Sequence, residues 1–541
     1  MRRILFLSAV SAVLTSLSFV PYNLFPLGFI SLLPVFYVFE TTPLTRRQVT
    51  WFWLVWIMIL NLVGYHWIMH TIAVYGMMPQ AVAFPLFLLY SLGTGTKMLF
   101  FFFFLRLLAQ QRDFFSGTAF RTATVVAAFG LFELIGWQLF PWYGSNLVSG
   151  DLWFAQGADL FGTRGLSLIW ILIQYLTWNT VRDFISLDRQ WRPLLLQSRS
   201  LQLLGALLFV THLYGFIQVQ RFSALEEAAP KISIGVPQGN VPLITSYHER
   251  PYIISRMIAQ TQRLISDAAA RGEKTDLVVW PESSIPAMEY ERSAELRSAI
   301  TSLQKETQTP LIINDIYHDP ATRKDYSNMW QLDHEGNPLA SYQKNFLLPF
   351  GEFMPLGNTF PALKNLFPAV SDFSHGQRFN LFSLATKHGT VKAMPLVCYE
   401  IILPDYARGF DARTDHSAQF IINITNDAWF GDSYESLQHM TLGTMRAIEL
   451  RLPILRSTNS GISSYTSTTG EVFGQTKMFE RVNQVYRVPV MERSVTLFAL
   501  AGNWPFWIYL FLTAGLVAYR FSKIRKDSRT GSAPDSFSGA C

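Results

Sequence analysis

"VKAMPLVCYE" (residues 391–400) decides how the second half of this chain is read. Apart from Lys392 the run to Val397 is apolar, and it stops abruptly on a thiol, a phenol and a carboxylate: Cys398, Tyr399 and Glu400. A short apolar run broken this way predicts a buried strand. "DLVVWPESSIP" (276–286), "PLIINDIY" (310–317) and "QFIINITND" (419–427) repeat the form. "KISIGVPQGN" (231–240) adds a strand that ends in a turn, and Pro251–Ala270 carries apolar residues at helical spacing. "GISSYTSTTGEVFGQT" (461–476) predicts a hairpin turning at Thr469–Gly470. Residues 222–502 therefore read as an α/β domain, a mostly β core flanked by helices. In such architectures functional groups gather just beyond the strand ends. Three of these ends hold Glu282, Cys398 and the Asn426–Asp427 pair.

Outward from this domain the composition changes. Half of the 541 residues are hydrophobic and only 15% are charged, against about a quarter in soluble globular chains. The apolar excess lies in segments of the length that crosses a bilayer. Seven precede residue 221, at 4–20, 24–40, 51–69, 80–108, 120–140, 166–186 and 200–220, and an eighth covers 503–521. The fourth contains Lys97, which predicts a tilted, kinked or partly broken helix. The first follows Arg2 and Arg3 as a signal peptide would, but no small-x-small cleavage site succeeds it, so it reads as an uncleaved helix. The expected organisation is a membrane domain over 1–221, the α/β domain over 222–502, a last helix over 503–521, and a disordered tail over 522–541.

Basic residues set the orientation. With the N-terminus inside, the inner segments carry sixteen Lys and Arg residues, from Arg2 to Arg529, and the short outer loops carry only Arg164. Both termini are then cytoplasmic and the α/β domain lies on the outer face of the membrane. The net charge of +6 is accounted for by these flanks, so it does not imply a nucleic-acid partner. Two cysteines, one of them the terminal Cys541, leave no disulfide framework.

Three residues in the α/β domain have types that form a complete catalytic set. Glu282 in "WPES" is either a solvated loop carboxylate or, between Trp280, Pro281 and an apolar turn, an acid raised toward neutrality and suited to accept a proton. Lys344 in "SYQKNFLLPFGEFMP" (341–355) is either a snorkelling surface residue or a cation that stabilises an oxyanion against an apolar wall. Cys398 is either a small buried hydrophobe or a nucleophile, which requires a base and a cation nearby. No zinc pattern, phosphate-binding loop or GxSxG elbow competes with this set. His439 reads as a surface or capping histidine on a helix whose Met440, Met445, Ile448 and Leu452 face a core.

The order "WPES", "YQKNFLLPFGEFMP", "CYE", "NITNDAWFG" resembles the nitrilase superfamily with its Glu-Lys-Cys triad. With seven helices before and one after, the chain is similar to the membrane-embedded branch of that superfamily, the bacterial apolipoprotein N-acyltransferases. The resemblance implies a four-layer αββα sandwich. It also implies that Cys398 is the nucleophile, Glu282 the general base and Lys344 the stabiliser of the tetrahedral intermediate. Glu352 matches a second acid near the triad, and Tyr399 and Glu400 complete the match around the thiol, Glu400 supporting either the lysine or only the fold. Tyr247 stands where family members carry Trp, so its part in lipid contact is the weakest point of the match.

The reaction implied is transfer of a fatty acyl chain from a membrane phospholipid to the α-amino group of an apolipoprotein's diacylglyceryl-cysteine, through a thioester on Cys398, with no cofactor or metal. Its partners are the phospholipid donor, the lipoprotein acceptor and the bilayer. Phe360 lies in an aromatic loop (355–373) that is either a lipid-facing lid or a cover for the domain's own core. Trp429 either lines an acyl tunnel or packs the core, and "FPWYG" (140–144) is either part of the same cavity or an interfacial aromatic belt. Two rival readings stay open: a membrane-anchored amidase with the same triad, and a transporter or scaffold to which Lys97 and Glu133 within apolar segments would be the clue.

Overall fold

The computed structural model describes residues 1–243, 247–285, 289–367 and 370–530, with the side chains of Tyr247, Leu366 and 526–530 outside that description. Twelve strands form the α/β domain: β1 (Lys231–Gln238), β2 (Leu277–Val279), β3 (Leu311–Asp319), β4 (Lys324–Leu332), β5 (Pro338–Gln343), β6 (Phe382–Thr386), β7 (Gly389–Val397), β8 (Phe420–Thr425), β9 (Ile454–Thr458), β10 (Ser464–Thr466), β11 (Val472–Phe473) and β12 (Val482–Pro489). They make two six-stranded sheets ordered β12-β1-β2-β3-β4-β5 and β11-β10-β9-β8-β7-β6. Each sheet has three parallel strands at its centre, β1-β2-β3 and β7-β8-β9, with antiparallel strands outside them. The central strands β2 and β8 are buried at every residue, as strands covered on both faces must be.

The inner faces of the two sheets share one apolar core, with Ile234, Val279 and Ile312 from one and Leu396, Ile422 and Leu455 from the other. Helices Arg250–Ala270 and Ala294–Thr307 cover the outer face of the first sheet through Met257, Ile300 and Leu303. Helices Pro404–Arg413 and Glu435–Leu450 cover the second through Phe410, Met445 and Ile448. The result is the four-layer αββα arrangement. β2 is shorter than its apolar run predicts, because Pro281 cannot continue a ladder and Ser283 turns the chain at φ +60°. β10 and β11 form the hairpin expected around Gly470, whose φ is +90°.

The N-terminal region is helical. Among the described residues, four helices are long and apolar enough to cross a membrane: Arg46–Gly64, Thr118–Ile135, Ala158–Ser186 and Arg199–Ala228. A fifth is added if Gln80–Thr94 and Thr96–Gln110, bent by 47°, count as one. That bend lies where the segment holding Lys97 was expected to kink. At its hinge, Gly95 packs so closely on Ile57 that a Cβ would lie 2.6 Å from the Ile57 side chain. The expected continuous helix over 24–40 is instead a 3-10 turn, Phe25–Phe29, followed by helix Leu33–Thr41. Pro26 and Pro34 each remove a helical donor, which makes a break the cheaper course. The first and last expected segments are helical as well, Arg2–Ser18 and Trp504–Thr530, without meeting the same measure of length and hydropathy.

The fourth layer of the sandwich rests directly on these helices. Glu449 Oε1 accepts from the Thr163 amide at 2.7 Å, and Arg446 Nη2 donates to Thr163 Oγ1 at 2.9 Å. Arg451 donates to Gln156 Oε1 at 2.7 Å and pairs with Asp159. Gln438 accepts from Trp67 Nε1 at 3.0 Å and donates to the carbonyls of Val20 and Gly64. All these side chains of helix Glu435–Leu450 and its C-cap are buried.

Candidate active site

Glu282, Lys344 and Cys398 stand just beyond the ends of β2, β5 and β7, and all three are buried. The Lys344 ammonium sits between two carboxylates, 2.7 Å from Glu352 Oε1 and 3.6 Å from Glu282 Oε1. Each acid is further tied to backbone: Glu282 Oε2 accepts from the Asn426 amide at 3.0 Å, and Glu352 Oε2 from the Leu348 amide at 2.7 Å. The first of these bonds also joins the two sheets, since Glu282 follows β2 and Asn426 follows β8.

Burial, offset in part by Lys344, pushes the Glu282 carboxyl up to about 7. Burial alone would depress the Lys344 ammonium, but Glu352 and Glu282 override it and hold its pKa above the ordinary lysine value. Burial, with the charge of Glu282 next, pushes the Cys398 thiol well above its ordinary value. The resting group is therefore a thiol, and a base must take its proton before it can attack.

The thiol is held by its backbone. Cys398 adopts φ +49°, a conformation that costs a non-glycine residue about 1–2 kcal/mol. Glu400, fully buried, pins both sides of the turn: its carboxylate accepts from the amides of Val397, Asn345 and Phe346 at 2.8–2.9 Å and from the Tyr342 hydroxyl. Two of those amides directly follow Lys344. Glu400 thus aligns the lysine's loop with the cysteine's turn and makes no direct hydrogen bond to the ammonium.

His439 is a correction to the sequence reading. It is buried, its Nε2 3.2 Å from the Cys398 carbonyl and its Nδ1 3.0 Å from Asp427 Oδ1. Although burial raises a carboxyl's pKa, Arg456 at 2.9 Å and His439 hold Asp427 well below the usual range. The residue's position on a helix with a mostly apolar face hid this role. Its one sequence signal was a histidine twelve residues after the Asp427 strand end. Asp427, Glu435 and His439 bring ligand-type atoms within 4.8 Å of one another, but Arg456 and Ser436 already occupy Asp427 Oδ2, a poor setting for a divalent cation.

The "FPWYG" segment forms part of the site. Phe140 packs edge-on against Tyr399 and Phe430. Lys97 donates to the Trp142 carbonyl at 2.9 Å with its ammonium over the Trp142 ring, and Glu133 accepts from the Gly144 amide at 2.7 Å. These two ionisable residues therefore brace a loop against the Cys398 turn. Tyr399 donates to the Leu139 carbonyl and separates two cavities. A small one beside Cys398 is lined by Trp67, Phe140, Phe430 and His439. A larger one, about 540 Å³, opens on the other side between Trp137, Arg164, Phe350 and Tyr406.

Trp429 is half-buried and packs on Tyr75, while its neighbour Phe430 lines the small cavity. Phe360 and Leu356 are exposed, so at these positions the 355–373 loop covers no core. The side chain of Tyr247 lies outside the described residues.

Comparison with known proteins covers both halves of the chain. The carbon-nitrogen hydrolase family model matches residues 237–485, and that of the apolipoprotein N-acyltransferase N-terminal domain matches 11–176. Apolipoprotein N-acyltransferase 2 of Leptospira interrogans is 31% identical over 83% of this chain and 84% of its own. The apolipoprotein N-acyltransferases of Bdellovibrio bacteriovorus and Haemophilus influenzae are 28% and 25% identical, over 94% and 93% of this chain and 92% of each relative.

Proposed function

The chain belongs to the apolipoprotein N-acyltransferases, and from that premise we propose that it acylates the α-amino group of a lipoprotein's diacylglyceryl-cysteine in two covalent steps. In the first, Glu282 takes the Cys398 proton and the thiolate attacks an acyl ester of a membrane phospholipid. Lys344 stabilises the oxyanion; losing one such donor costs about 3 kcal/mol of barrier. The C–O bond breaks, Glu282 returns the proton to the departing lysophospholipid, and a thioester remains on Cys398. In the second, the neutral amine of the acceptor attacks the thioester carbonyl. A C–N bond forms, the C–S bond breaks, and the amine's proton passes through Glu282 to the thiolate.

The observation that carries this reading is the buried carboxylate–ammonium–carboxylate cluster against a thiol that is protonated at rest. It supplies a base raised to about 7 and a fixed cation, and the site lies against membrane-type helices, where both substrates are lipids. The reading includes eight membrane segments, both termini cytoplasmic and the catalytic domain on the outer face. The arginine bias supports this topology, and the bracing role of Lys97 and Glu133 removes the main clue for a transporter.

The test uses purified full-length protein and a phospholipid labelled in one acyl chain. Without acceptor, hydroxylamine-sensitive label is expected on Cys398, stable until a diacylglyceryl peptide discharges it as an amide. Label that water removes as fast as the peptide does indicates an amidase, and peptide acylation by Cys398→Ala overturns the assignment.

A further inference from the structure

The larger cavity stands at the ends of two membrane-type helices that face the catalytic domain. Helix Thr118–Ile135 finishes just before Trp137, and Arg164 lies in the first turns of Ala158–Ser186. In a bilayer this is the layer of headgroups and phosphates, and Trp137, about half exposed, suits it as an interfacial residue. Arg164 is also the lone Lys or Arg in the short outer connections between the apolar segments of the sequence. Its guanidinium is only partly engaged. One terminal nitrogen pairs with the half-exposed Asp405, the other donates to the Tyr143 hydroxyl at 3.3 Å, and Nε is buried with no hydrogen-bond partner. Tyr399 forms the wall between this cavity and the thiol.

The two substrates of the proposed reaction differ in the group that would meet Arg164. The acyl donor carries a phosphodiester one glycerol unit from its ester carbons. The acceptor's glyceryl group carries none, and its own nearby charge is an ammonium. A guanidinium recognises phosphate through paired N–H donors and repels an ammonium. We propose that Arg164 binds the phosphodiester of the acyl donor, so that the large cavity holds the donor's polar end while its ester reaches Cys398 past Tyr399. On binding, phosphate replaces Asp405, which remains solvated and keeps its hydrogen bond from Asn503 at 2.8 Å. The inference rests on the acyltransferase reading and adds which lipid the cavity selects.

The experiment follows thioester formation on Cys398 in detergent micelles, with a phospholipid and with a diacylglycerol of the same acyl chains as alternative donors. For Arg164→Gln, kcat/KM on phospholipid should fall by roughly 10- to 100-fold while that on diacylglycerol holds, with Arg164→Lys in between. Equal losses on both donors, or none on phospholipid, overturn the assignment, and the diacylglycerol arm serves as the control for folding. Inorganic phosphate that binds at Arg164 without slowing labelling by phospholipid would point to a free-anion site and also overturn it. Wild-type protein that takes up no label from either donor defeats the acyltransferase reading itself.

Discussion

The two sheets of the α/β domain hold Glu282, Lys344 and Cys398 by different means. The first sheet presents Glu282 and Lys344 as charges that restrain each other, with Glu352 as a third member of the cluster. The second presents a thiol with no ionic partner, fixed through its backbone by Glu400 and His439. Charge-held groups contribute to stability and chemistry together, because removing one leaves another buried and uncompensated. A backbone-held group can be removed without disturbing its surroundings.

The largest expected effect tests the second half of this contrast. Cys398→Ala should abolish thioester formation, by about 10⁴-fold or more, with little change in melting temperature. A marked fall in melting temperature would break the contrast. Lys344→Met should cost roughly 10²–10³-fold in rate and also about 3–5 kcal/mol in stability, read by denaturant unfolding. Unchanged stability would mean that the cluster is not held by its charges.

Protonation separates the sheets in another way. Burial favours the acid form of Glu282, whose carboxyl lies at about 7 in place of its ordinary 4.5. Only the carboxylate can take the thiol's proton, so thioester formation should rise with pH and level off above about 7. From the high-pH plateau down to pH 5 the loss should approach about 100-fold. The stability sign is opposite: the raised value stabilises the fold below pH 4.5 and that contribution is lost as pH rises through 7. A flat rate profile across this range would exclude Glu282 as the base.

Smaller effects concern the backbone supports. Glu400→Gln places an amide where only acceptors are wanted and should cost about 2–3 kcal/mol of stability, visible as a lower melting temperature. His439→Leu removes the imidazole from the Cys398 carbonyl and should slow thioester formation by about tenfold with a shift of about 1 kcal/mol in stability. Were the histidine change the more severe of the two, the imidazole would have a direct chemical part.

What the sequence disclosed follows the same division. Groups that end apolar runs were visible, because an abrupt change from Val279 or Val397 to Glu282 or Cys398 is a local pattern. The αββα layering came through a resemblance, since run lengths cannot say which strands pair. Roles that act through distant backbone were not visible: Glu400 stood out by its place after the thiol, but its partners did not, and His439 did not stand out at all. Glu400 meets Asn345 and Phe346 across more than fifty residues of chain, and His439 meets Cys398 across 41. Proline placement accounts for the failure of the helix expected over 24–40, where apolar content outweighed missing donors.

The composition break at residue 221 is not a line along which the molecule comes apart. Arg446, Glu449, Arg451 and Gln438 belong to the catalytic domain by sequence, yet their partners Thr163, Asp159, Gln156 and Trp67 belong to the membrane half. A fragment cut at that break would keep Glu282, Lys344 and Cys398 but lose the Asp159 counterpart of buried Arg451 and the Thr163 hydrogen bonds of the buried Arg446–Glu449 pair. The membrane half is thus a missing wall of the enzyme as much as its anchor, and a soluble version would need that face redesigned before it could fold.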